Sequence, residues 1–339
     1  MQGSKKVGCS HLILAVMLVT IPSTTYAQVV PTTPRPASGQ PLTVEKITAA
    51  DVLARVELLR DDLELIRFEM GQPKDQRTEI IVTEVIPRQV IFQAMTLFRK
   101  ANQLHFELTG ESGSELRTNL PRGVRPLHVW LVVDVAYRRI LVVKRKLGIT
   151  KPSEEKRQDP SITPTEVFRA IVQANRQLDL LLKQRPSTRD VFHQVTLATH
   201  FAARLLEQFP GATLMPPTPD FEHGKRPVDV YTRLVECYAR IRAIAERSGI
   251  RALKLEMPKS DAGVDNPTQI SPSDVYDIAI LVVSELAYLH AQLKYTEPPT
   301  QAYDPGLKVP AHVYQRAGVL LLQLTELEKL AATRPTWLY

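Results

Sequence analysis

Apolar residues in this chain recur at a four-three spacing that restarts eight times, and the same short signature announces each restart. The signature is a capping position, usually a proline, any residue, a polar side chain, a valine and then a bulky residue. Its copies run from Thr48 to Leu53, Ile86 to Ile91, Arg125 to Trp130, Thr163 to Phe168, Ser187 to Phe192, Arg226 to Tyr231, Ser271 to Tyr276 and Val309 to Tyr314. After Val52 the ladder continues through Val56, Leu59, Leu63, Ile66 and Met70, and across all eight segments only Arg185 and Ser248 interrupt it. That spacing places the apolar side chains on one stripe of a helix.

The signature itself reads as a helix start. Proline at the first helical position has no N–H to lose and a φ already suited to the helix. At Thr48, Thr163, Ser187 and Ser271 a hydroxyl cap is followed three residues on by Asp or Glu, so a reciprocal capping box can form. Stop signals follow the ladders at Gly71, Gly110, Gly148, Gly249, Pro186 and Pro210. The pattern predicts an all-α protein of eight long helices, each about 22 residues.

Successive signature valines are separated by 38, 39, 38, 24, 39, 45 and 38 residues. The short middle interval divides the array into two tandem four-helix bundles, residues 45–185 and 186–334, with 335–339 as a C-terminal tail. The third helix of each half is the most apolar all round, which points to an internal duplication with a period of about 145 residues. Every other connection is long for a helical bundle, where about 2 to 8 residues is usual. One of them, Glu79 to Val85, reads as a short strand. Long loops on a rigid scaffold are the expected seat of a binding function.

Ahead of the helices stand Lys5 and Lys6, an apolar run from Leu12 to Ile21, and Thr25-Tyr26-Ala27. This is the build of a secretory signal peptide over residues 1–27, cleaved after Ala27, and it places the mature chain in the periplasm or outside the cell. The run is too short to remain as a spanning helix, so no stable membrane insertion is expected after cleavage. Residues 28–44 carry four prolines and read as a disordered linker. Cys237 then remains alone, on a ladder position, as a buried inert thiol.

Charge narrows the partners. The 43 Lys and Arg and 36 Asp and Glu are interspersed, giving +7 without a basic stripe, so no nucleic-acid partner is expected. The Glu-x-x-His, His-Glu-x-x-His and Cys-x-x-Cys-His spacings do not occur, and no metal or cofactor is expected. Gly110-Glu111-Ser112-Gly113 approaches a nucleophile elbow but misplaces the second glycine, and it reads as a loop. The best candidates for ligand binding are charges set inside apolar helices: Asp134 with Arg138 four residues on, and Glu285 followed by His290. The alternative for both carboxylates is that they flank the apolar stripe and point to water or to an arginine on a neighbouring helix. The sequence therefore points to an exported, non-enzymatic interaction or assembly module with a protein partner. A small-ligand or sensor protein with a pocket in or between the bundles comes second, and a hydrolase with a dispersed site third.

Overall fold

The structure is a computed structural model that describes residues 47–339 apart from 76, 78, 114–122, 155, 157–158, 258–269, 294–296, 298, 300–305, 335–336 and 339. The expected signal peptide and linker lie outside the described residues. The protein is all-α. The described residues form helices α1 Ala49–Glu69, α2 Pro87–Thr109, α3 Pro126–Lys146, α4 Pro164–Leu181, α5 Thr188–Leu206, α6 Pro227–Arg247, α7 Pro272–His290 and α8 Pro310–Thr333. Two three-residue strands, β1 Ile81–Thr83 and β2 Lys254–Glu256, complete them.

Each signature opens on the residue that caps a helix: Thr48, Ile86, Arg125, Thr163, Ser187, Arg226, Ser271 and Val309. The four expected capping boxes close, and Thr163 also takes the N–H of Thr165. The polar residue two places after the proline position has a further role. At all eight starts its side chain accepts the backbone N–H of the cap, at 2.7–3.2 Å. Gln89 does this with its amide oxygen, and His128 and His312 do it with Nδ1, where the cap has no hydroxyl to offer. One otherwise orphaned donor is thus satisfied at every helix start. At the other ends Gly71, Gly110, Gly148 and Gly249 take φ of 64–77°, the left-handed turn that suits glycine.

The helices run 18 to 24 residues rather than a uniform 22. α4 is the shortest, because Leu182 turns extended and leaves Arg185 in the connection. α1 and α2 each pack against α3 and α4, and α5 and α6 each pack against α7 and α8. Within the first set α1 therefore lies diagonal to α2 and α3 to α4, and within the second α5 lies diagonal to α6 and α7 to α8.

Cross-helix contacts fix the directions. Between α1 and α3, Arg55 meets Asp134 and Asp62 meets Lys144, so both helices run the same way. Between α6 and α8 the pairs Arg233 with the Tyr314 carbonyl and Arg247 with the Glu328 carbonyl advance together. In the second set all four starts converge, since Val191, Val230, Val275 and Val313 line one small apolar cavity beside Pro227, Pro272 and Pro310. Between the sets the order reverses: Arg88 at the start of α2 meets Glu285 late in α7, and Lys100 further along α2 meets Asp277 early in α7. Two sets of parallel helices therefore run antiparallel to each other.

This arrangement accounts for the long connections. A chain leaving a helix of about 21 residues must return about 30 Å to start a parallel one, which takes roughly nine extended residues or more. Only α4 to α5 reverses direction, and only that connection is short. β1 pairs antiparallel with β2, Val82 opposite Leu255, joining the α1–α2 connection to the α6–α7 connection. The strand read from Glu79 to Val85 is thus present over three of its residues.

Cys237 is fully buried with its Sγ 3.7 Å from the Ala317 carbonyl, and burial pushes its thiol well up. In the tail, Trp337 is buried with its ring 5.3 Å from that of Phe209. Among the described residues no helix is long and apolar enough to cross a membrane.

Candidate functional site

The four residues singled out in the sequence fall in three places. Asp134 and Arg138 lie on α3, where Arg138 Nη2 stands 2.8 Å from the carboxylate and Arg55 of α1 approaches it to 3.6 Å. Arg55 also stacks on Trp130 and Tyr137, at 5.3 and 5.2 Å. Glu285 lies on α7 with no exposed surface. Its carboxylate accepts from Arg88 at 3.0 Å, from Gln89 at 2.6 Å and from the Tyr238 hydroxyl at 3.3 Å. Burial raises its pKa against the opposing pull of Arg88 and these hydrogen bonds. His290 packs edge-on against Phe201 at 5.5 Å, and burial, aided by Arg204, lowers its pKa. The structure therefore gives both carboxylates an arginine from a neighbouring helix and joins Asp134 to Arg138, whereas Glu285 faces α2 and α6 and His290 faces α5.

Between the helix sets lies an ionic seam that the sequence spacing did not reveal. Lys100 of α2 is buried and reaches Asp179 of α4 at 2.9 Å and Asp277 of α7 at 3.0 Å. Asp274 of α7 uses Oδ2 for its own helix start and turns Oδ1 to Arg176 at 3.2 Å and Arg77 at 3.4 Å. Burial lifts Asp179 to about 6, with Asp277 adding to the rise and Lys100 and Arg77 opposing it. Burial works to lower Lys100, but Asp277 and Asp179 outweigh it and its pKa is raised. Lys100 precedes the ladder residue Ala101, Asp179 follows Leu178 and Asp274 precedes Val275, and a ladder-flanking charge usually faces water. The packing of α7 against α2 and α4 is what encloses them.

Above this seam opens a cleft of about 500 Å³. One wall is α2, with Thr96, Arg99 and Gln103, and another is α7, with Tyr276 and Ile280. The rim is the short α4–α5 connection, which supplies Lys183, Gln184 and Arg185, and the first turn of α5 adds Arg189 and Asp190. Lys100 lies at the base, its charge met by the two aspartates. The connection is held from below by Glu107, which accepts the Lys183 backbone N–H at 2.8 Å, and by Gln103, which donates to the Gln184 carbonyl at 3.0 Å. Asp190 is engaged by the N–H and hydroxyl of Ser187, at 2.8 and 2.6 Å. A sequence signal for this place exists: Lys183 and Arg185 stand in the one short connection and Arg189 in the turn that follows it.

The arrangement presents positive side chains, amides and one phenol in a concave space. Among the described residues no group of three or more His, Cys, Asp or Glu side chains is placed to hold a metal ion. No protein-family model matches the chain, and neither does any characterised protein sequence or solved structure with which it was compared.

Proposed function

We propose that the chain is an exported, non-enzymatic binding protein whose recognition surface is the cleft between its two helix sets. The observation that carries the reading is the cleft itself: about 500 Å³, walled by helices from both sets and rimmed by the tightest connection in the fold. That volume lies within the about 300–1,000 Å³ of small-molecule sites. A stable protein partner needs roughly 800 Å² from each side, so the cleft favours a small ligand over the protein partner expected from the repeat pattern alone. Its groups suit holding rather than reacting, since the lining carboxylate, Asp190, is already engaged at a helix start. The buried seam supports this role by holding α2, α4 and α7 in one register beneath the ligand. Export rests on the amino-terminal Lys5, Lys6 and the apolar run that follows.

A thermal-shift screen against a metabolite panel tests the proposal. A ligand at about 100 times its dissociation constant raises stability by about 2.7 kcal/mol. Shifts that vanish in the Arg99→Glu, Lys183→Glu variant support the cleft as the site. Shifts that survive in that variant place recognition elsewhere and defeat the reading.

A further inference from the structure

Resting on the cleft as the recognition surface, we infer that its ligand is a small polyanion, a molecule carrying two or more phosphate or carboxylate groups. The argument is one of uncompensated charge. Of the cations at the cleft, Lys100 is paired with Asp179 and Asp277, and the charge of Arg189 is offset by the neighbouring carboxylate of Asp190 on the same rim. Arg99 and Lys183 have no carboxylate partner among the described residues, and both are exposed into the concave space. Arg185 is exposed as well and directs Nη2 to the Leu180 carbonyl at 3.1 Å, a dipole that leaves its charge unmatched. Three like charges held around one hollow repel one another, and the repulsion is relieved when an anion enters.

The geometry around them is fixed rather than loose. Glu107 and Gln103 hold the backbone of Lys183 and Gln184, and α2 presents Arg99 from a regular helix. The start of α5, capped at Ser187, adds the positive end of a helix dipole to the same rim. Guanidinium groups supply paired donors suited to carboxylate or phosphate oxygens, and the lysine adds a point charge. A singly charged ligand would leave two of the three cations unmatched; two or more anionic groups on one small skeleton match most or all of them. Tyr276 lines the cleft and offers an aromatic wall for that skeleton.

Isothermal titration with inorganic pyrophosphate and with citrate, beside acetate as a monoanion, reads this out on the full chain. Pyrophosphate or citrate is expected to bind, acetate to bind at least about tenfold more weakly, and added sodium chloride to weaken the interaction. The exposed substitutions Arg99→Gln and Lys183→Gln are expected each to weaken polyanion binding about tenfold or more, the effect of losing one charge-assisted contact. Unfolding midpoints of the ligand-free variants, equal to wild type, exclude a folding defect. Equal affinity for acetate and pyrophosphate, or binding of only uncharged panel compounds that depends on Arg99, overturns the polyanion assignment and leaves the cleft as the site. Polyanion binding indifferent to both substitutions overturns the assignment and the cleft together.

Discussion

Glu285 and Arg88 stand 197 residues apart in sequence and meet at 3.0 Å, joining late α7 to the start of α2. Arg88 also donates to the Arg251 carbonyl and stacks on Tyr288, with 4.0 Å from its guanidinium carbon to the ring centre. Gln89, the next residue, divides its amide between the Ile86 N–H and the same glutamate. A helix start in one set is thereby tied to the other set. Buried ion pairs add little net stability, but an abandoned member is costly, so this contact selects the antiparallel register.

Removing the arginine tests that statement. Arg88→Ala is expected to lower unfolding stability by about 3–5 kcal/mol, because Glu285 is left buried without its cation. Arg88→Met combined with Glu285→Leu should recover a large part of the loss, as measured by guanidinium unfolding midpoints. Equal losses in the single and double variants would show that the volume at this site matters and the charge does not.

Asp179 makes the seam responsive to pH. Its folded pKa of about 6 lies above the ordinary 3.8, so the folded chain holds the proton more tightly than the unfolded chain. This group's contribution to stability is therefore greatest below about pH 4, falls as pH rises through 6, and is flat above. Relative to Asp179→Asn, the wild type should gain stability as pH is lowered from 7 to about 4.5. A constant difference across that range would mean that Asp179 titrates in the folded state as it does in water.

The helix starts differ in what they hold. Ser187→Ala removes a hydroxyl cap and is expected to lower stability by about 1 kcal/mol. Asp274→Ala removes a helix-start acceptor and also the partner of Arg176 and Arg77 in the seam, so a loss of about 3 kcal/mol or more is expected. Comparable losses in the two variants, read by chemical denaturation, would separate Asp274 from the seam.

Much of the fold was legible because helix starts are local chemistry. Cap, proline and the side chain that reaches back all lie within four residues, and no distant contact is needed to read them. Direction was not legible in the apolar ladder, since a stripe packs equally well on a parallel or an antiparallel neighbour. Loop length carries it, since six residues cannot return a chain along a helix, but the sequence reading takes the long loops only as seats of binding. Gly318, the glycine inside α8, is explained only by packing: a Cβ there would meet Pro219 at 3.1 Å and Arg233 at 3.2 Å. Glu285 drew attention because it breaks an apolar run. Lys100 and Asp179 did not, because their flanks of α2 and α4 are mixed in sequence and only α7 encloses them.

The parallel direction within each set underlies the rest, since it brings α2 against α7 and forms the cleft between them. Spin labels at the caps of α6 and α8, Arg226→Cys and Val309→Cys, measure it by electron-electron double resonance in a Cys9→Ser background. Cys237 is buried with its thiol pushed well up, and it should resist labelling. The two helices are neighbours, with axes about 8–10 Å apart for packed helices, so a label separation of roughly 10–20 Å is predicted. A separation of about 30 Å or more, one helix length, would mean that α6 and α8 run in opposite directions, and it would contradict the account.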